Sequence, residues 1–228
     1  MVRVFISDII KTESRVGLSD TAKLIYEGLP LSLCEYLDST KNEKLRLSRI
    51  SAYGLLKYAL ERFYEAFDLE IKRGLHGKPS LCNSSLKINL SHTESFCAVA
   101  ISDDCEVGVD IEERIEDSRA KRLETRFFTD LDFDNSGEIE DIKYYGFEYD
   151  KNGNLEESPT LVNGCDGGND LGFTRLWTLS EATMKCIGKG FSMINSLKEE
   201  LPYIEAKTIT VKKNGKECIL SVVIKKVR

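Results

Sequence analysis

The sequence predicts an α+β protein, and three observations carry that prediction. Residues 42–67 and 175–187 place apolar side chains at helical spacing. Around them lie short apolar-rich runs bounded by polar turns, as on strands. Two pairs of those runs, 86–90 with 96–101 and 203–212 with 217–226, are joined by short polar links. Such links mark antiparallel hairpins, and Asn214-Gly215 in the second is a strong turn signal.

The elements follow in order. Residues 2–9 read as a strand. Residues 20–37 read as helix, interrupted near Pro30, whose ring and missing N–H break the ladder. In 42–67, Leu56, Ala59, Leu60, Phe63 and Phe67 share one face, while Arg46, Arg49, Lys57 and Arg62 give a cationic aspect. That charge is compatible with a plain solvated face or with the border of an anion site. Gly74-Leu75-His76-Gly77-Lys78-Pro79 is a loop by its Gly and Pro content. Strand 86–90 leads into Ser91-His92-Thr93, a polar connection holding one of only two histidines. A helix is expected over 117–127. The helix of 175–187 stops at Gly188.

Composition narrows the function classes. The 228 residues are 41% hydrophobic and 31% charged, as in a globular protein with a sizeable core. No apolar run approaches the ~20 residues of a membrane span, and the start of the chain is too soon acidic for a secretory signal. Seven cysteines form no C-x-x-C pair, so reduced thiols in a cytoplasmic protein are expected. No basic run with interleaved aromatics speaks for nucleic acid. The net charge of −6 is uneven. Residues 129–172 hold twelve acids against Lys143 and Lys151, so the rest of the chain is positive and open to an anionic ligand. This segment, rich in glycine, reads as an insertion containing a hairpin around Asp150-Lys151-Asn152-Gly153. Its Asp132–Glu140 stretch imitates a calcium loop, but Lys143 stands where the twelfth-position glutamate belongs. Gly188-Lys189-Gly190 lacks the spacing of a phosphate loop.

The chemistry concentrates in Val107-Gly108-Val109-Asp110-Ile111-Glu112-Glu113. On a strand, Val107, Val109 and Ile111 face a core, and Asp110 and Glu112 project together from the other face. Two adjacent carboxylates repel unless a cation lies between them, and a hard cation with oxygen ligands fits that need. A solvated edge strand with two surface acids is the alternative. Glu181 and Lys185, four apart on one helix, form either a surface ion pair or part of a site.

Taken in order, Gly77-Lys78-Pro79, Asn89-Leu90-Ser91-His92, Gly108-Val109-Asp110-Ile111-Glu112, Phe127-Phe128, Trp177-Thr178-Leu179-Ser180-Glu181-Ala182-Thr183-Met184-Lys185 and Gly188-Lys189-Gly190 resemble the motifs of the 4′-phosphopantetheinyl transferase superfamily. The chain length resembles the two-half, surfactin-synthetase-activating (Sfp-like) class. The resemblance implies two similar α/β halves with pseudo-two-fold symmetry, each a small, mostly antiparallel sheet packed with helices. The halves would be 1–104 and 105–228. It implies transfer of the phosphopantetheine arm of coenzyme A (CoA) to a serine of an apo acyl or peptidyl carrier protein, with 3′,5′-ADP leaving. A CoA-binding relative without transferase activity is the alternative. A cytoplasmic monomer, with no nucleic acid or membrane partner, is expected.

By the same resemblance Asp110, Glu112 and Glu181 hold Mg²⁺, with Mn²⁺ as the other option. Lys185 meets a phosphate or the serine proton. Lys78, Pro79, Ser91 and His92 contact CoA. Asp132 stands where a glutamate usually serves as base, one carbon shorter. Ser180 replaces a usual lysine. Tyr53 falls where an arginine near the CoA phosphates is common, and Arg49, one turn earlier, is its substitute.

Overall fold

A computed structural model describes residues 1–10, 18–127, 137–158, 172–189, 197–213 and 215–226. Strand β1 (Val2–Asp8) is followed by helices α1 (Asp20–Glu27) and α2 (Leu31–Asp38), which part at Gly28 and Pro30 as expected. Helix α3 (Glu43–Tyr64) starts where the Asn42 side chain accepts from the Leu45 N–H, filling one of the orphan donors of a first turn. It ends earlier than its periodicity indicates. Glu65 adopts a left-handed φ of 51°, and Phe67, expected on the core face, is 75% exposed.

Then come β2 (Ile71–Arg73), β3 (Pro79–Leu81), β4 (Lys87–His92), β5 (Phe96–Ser102), β6 (Val107–Glu113) and α4 (Asp117–Phe127). Ser91 and His92 are strand residues and not a connection. β7 (Gly137–Glu138), β8 (Ile142–Tyr149) and β9 (Leu155–Glu157) lie in the acidic segment. α5 (Gly172–Ile187), the short α6 (Leu197–Glu200), β10 (Ile204–Lys213) and β11 (Lys216–Lys225) close the chain. Gly188, at φ +72°, ends α5 in the conformation that glycine adopts without strain.

The strands form two mixed, mostly antiparallel sheets, so the α+β class stands. The first has the order β4-β5-β1-β8-β9 and the second β6-β11-β10-β7; β2 and β3 make a separate pair. Phe5, Val99, Ile101 and Phe147 pack one face of the first sheet against the helical layer led by α3. Its other face, with Val2, Val4, Ile6, Ala98 and Ala100, packs against Val107, Val109, Ile111, Leu220 and Val222 of the second sheet. Helix α5 covers the outer face of that sheet, where Leu179, Ala182 and Cys186 meet Ile204 and Val223. The layers therefore run helix, sheet, sheet, helix.

The segment read as an insertion does more than loop out. β8 pairs in parallel with β1, Val2 opposite Ile142 through Ser7 opposite Phe147. Tyr145 and Phe147 stack on Phe5 at 5.1 and 6.3 Å. The expected hairpin is present, with Asp150 Oδ1 accepting from the Asn152 and Asn154 amides. No described helix is long and apolar enough to cross a membrane.

Candidate functional site

The outer face of β6 carries Gly108, Asp110 and Glu112, as strand alternation requires. That face meets a helix and not solvent. A Cβ built on Gly108 would stand 2.0 Å from the Ala182 carbonyl oxygen and 2.5 Å from the Cys186 nitrogen. Only glycine lets the backbone of α5 come so close. The close crossing brings Glu181 and Lys185 over Asp110. Lys185 Nζ donates to Asp110 Oδ1 at 2.5 Å and lies 3.8 Å from Glu181 Oε2.

Strand β4 completes the floor. Asn89 Oδ1 accepts from the Val109 amide at 3.0 Å. The Ser91 hydroxyl accepts from the Ile111 amide and from Lys185 Nζ, and donates to Asp110 Oδ1 at 2.8 Å. These two side chains continue the ladder at the open edge of β6 and join the sheets there. The hydroxyl of Ser91, expected beside CoA, is thus engaged with Asp110 and Lys185.

The charges are strained in one direction. Burial, then the neighbouring Asp110 and Glu181 carboxylates, push Glu112 up to about 7. Burial and Asp110 likewise raise Glu181. Lys185 is raised because Asp110 and the two glutamates outweigh its own desolvation. Asp110 is 2% exposed, and its Oδ2 has no hydrogen-bond partner. Among the described residues the acids are not gathered into a ready-made cation site. Two glutamates raised beside Asp110, whose Oδ2 is buried and unpartnered, still have the donor chemistry of a hard divalent ion. Ser180, in place of the usual lysine, is fully buried with its hydroxyl on the Leu176 carbonyl at 2.8 Å. A lysine there would have to bury its ammonium.

A cavity of about 350 Å³ opens beside this floor, lined at one side by Glu181, Met184 and Lys185. His92 follows, and both Lys185 and Arg49 act on it. Burial and then those two cations pull it down to about 4, so it is neutral at pH 7. Pro79 and Lys78 also line the space. The Lys78 ammonium, however, donates to Glu106 Oε2 at 2.6 Å and to the Cys186 carbonyl at 2.7 Å. It fastens the 74–79 loop to the last turn of α5, where a cation complements the helix end.

Arg49 and Arg73 line the same cavity. Arg49 donates to Thr40 Oγ1 at 2.7 Å. Arg73 donates to the Tyr53 hydroxyl, and its guanidinium stacks 3.7 Å from the centre of the Tyr36 ring. Among the described residues neither arginine has a carboxylate partner within salt-bridge distance. Arg73 was missed at the sequence level. It sits on a three-residue strand whose pattern carries no signal, and its tie to Tyr53 spans two elements.

A family model described as the 4′-phosphopantetheinyl transferase superfamily matches residues 106–223, over half of the chain, from the start of β6 almost to the end of β11. The chain belongs to that superfamily. No curated protein sequence matches it. Membership makes the protein a transferase. The superfamily acts with CoA on carrier proteins and generally uses Mg²⁺. The matched region includes Asp110, Glu112, Glu181 and Lys185. Asp132, Phe128 and Gly190 lie outside the described residues, as does the side chain of Phe127.

Proposed function

We propose that this superfamily member is of the surfactin-synthetase-activating class and transfers the 4′-phosphopantetheine arm of CoA to a serine of an apo acyl or peptidyl carrier protein. One observation carries the reading. An acid cluster bound to Lys185 adjoins, through Glu181 and Lys185, a cavity also lined by Arg49 and Arg73, which have no carboxylate partners among the described residues. CoA has matching charges: a diphosphate in the middle and a phosphate monoester at the nucleotide end.

Asp110, Glu112 and Glu181 are the residues that would hold Mg²⁺, which supplies neutralisation of diphosphate charge. Lys185, kept protonated by its acidic neighbours, offers a cation where negative charge grows on the diphosphate. Arg49 and Arg73 receive the nucleotide end, and neutral His92 offers hydrogen bonds between the two regions. The serine oxygen attacks the phosphorus that carries pantetheine. The bond from that phosphorus to the bridging oxygen breaks, and 3′,5′-ADP departs with that oxygen. The serine proton goes to a base, for which Asp132 is the candidate, four residues after Phe128.

The test mixes the protein with CoA, Mg²⁺ and a panel of apo carrier proteins and reads intact mass. A gain of the phosphopantetheine mass, lost in Asp110→Ala, is expected. No modification of any carrier, with CoA binding retained, would replace transfer by a binding role. Full turnover by Asp132→Asn would remove that residue as the base.

A further inference from the structure

We propose that Tyr53 and Tyr36 are positioning residues that fix the Arg73 guanidinium at the cavity wall, so that the protein selects substrates ending in a phosphate monoester. The inference rests on the reading of the cavity as the CoA site.

Arg73 is an exposed residue of β2, a three-residue strand paired among the described residues with β3 alone. An arginine so placed ordinarily samples many rotamers, and a ligand that uses it must first order it. Here the order is already present. The Tyr53 ring is anchored on α3 at 5% exposure, and only its hydroxyl reaches Arg73. Tyr36, from α2, meets the Tyr53 ring edge-on at 87° and lays its own face against the guanidinium. A stacked guanidinium keeps its N–H fork in plane and free to point at an anion. The Gly77 carbonyl takes one further, long N–H contact at 3.4 Å.

Every partner of Arg73 among the described residues is therefore neutral. The charge is held without being cancelled. Arg49 stands against the same Tyr36 ring at 5.1 Å and is bonded to the neutral Thr40 hydroxyl. Two cations with no counter-ion among the described residues suit a dianion, and a phosphate monoester is one at pH 7. A diphosphate interior carries its charge on two phosphorus centres and suits the Lys185 end. Tyr53 thus does not replace a cation with a neutral group. It supplies the hydroxyl that holds a cation brought from another strand.

The test compares wild type, Tyr53→Phe, Arg73→Ala and the double variant in two arms. The first arm measures kcat/KM with CoA and with 3′-dephospho-CoA. The second titrates 3′,5′-ADP and adenosine calorimetrically and needs no transfer. Tyr53→Phe keeps the buried ring, and its melting temperature reports any loss of fold. Loss of one hydrogen bond to a charged group gives a fall of about fivefold or more for CoA and for 3′,5′-ADP, and a far smaller one for the ligands lacking the 3′-phosphate. In the Arg73→Ala background Tyr53→Phe adds nothing further. If it weakens all four ligands alike, weakens none, or acts additively with Arg73→Ala, the proposal fails. The expected titration pattern without any carrier modification would sink the transferase reading and leave this one standing. No binding of 3′,5′-ADP by the wild type would overturn it.

Discussion

Gly108→Ala places one methyl group between β6 and α5, and the structure sets the size of the effect. The new carbon would lie 2.0 Å from the Ala182 oxygen, 2.5 Å from the Cys186 nitrogen and 2.9 Å from the Cys186 Cα. All three are backbone atoms of α5, so no side-chain rotation relieves the clash. Ordinary contact needs the helix to retreat by roughly 1 Å or more. Overpacking of this kind costs about 1–3 kcal/mol, or a fall in melting temperature of roughly 2–12 °C in a chain of this size.

Activity is more exposed than stability. Glu181 and Lys185 ride on α5, and Lys185 reaches Asp110 at 2.5 Å across the crossing. A displacement of about 1 Å between reacting groups costs on the order of 10²-fold in rate. The assay is single-turnover transfer at saturating CoA, beside differential scanning fluorimetry. Gly172→Ala is the control, because a Cβ at that first helical residue meets nothing within 4 Å. A Gly108→Ala protein with the melting temperature and single-turnover rate of the control would refute the argument that this glycine sets the α5 approach.

Two pH effects follow from the displaced side-chain equilibria. Glu112 is raised from 4.5 to about 7, so its proton favours the folded state; that stabilisation is full below pH 4.5 and lost as pH rises through 7. Mg²⁺ needs the carboxylate, so its affinity should fall by up to tenfold per pH unit below 7, with release of up to one proton per ion near pH 6. Calorimetry in buffers of different ionisation enthalpy measures that proton, and a buffer-independent heat would exclude Glu112 as a ligand. His92 has the opposite sign: its folded value of about 4 lies below the usual 6.5, so the unfolded chain takes up the proton first and stability falls as pH drops from 6.5 to 4. The loss should reach about 3 kcal/mol at most, should shrink in His92→Asn, and should shrink when CoA is bound. A wild-type pH–stability curve that overlays that of His92→Asn across this range would contradict the burial argument.

What could be read from residues alone was whatever depends on one periodicity. Strand alternation separated Val107, Val109 and Ile111 from Asp110 and Glu112, and the structure puts the first set in the core between the sheets. Helical spacing likewise put Glu181 and Lys185 on one face. Alternation did not reveal what lies opposite Asp110, because a strand pattern reports burial and not the neighbour. Gly108 was the missing clue: a glycine among β-branched residues marks a close backbone approach, here by α5. β8 was read as part of a hairpin, but its pairing with β1 escaped for a different reason. It is covered on both faces, with Tyr144 toward the second sheet and Tyr145 and Phe147 toward α3, so its apolar residues run together and show no period of two.

The cavity was the least legible part, since it is assembled from single residues of unrelated elements. Arg49 was visible as a cation on α3, but Arg73 and Tyr36 acquire meaning only through each other. Tyr53 looked like the loss of a charge at a position where one is usual. In the folded protein position 53 is 5% exposed, and desolvation would penalise a guanidinium held there. A tyrosine keeps its ring in the core and spends only a hydroxyl at the surface of the cavity. The charge then comes from β2, where solvent bears its hydration until a ligand arrives. On the proposed reading, the tyrosine at position 53 is balanced by an arginine twenty positions away, and the pair is visible only in three dimensions.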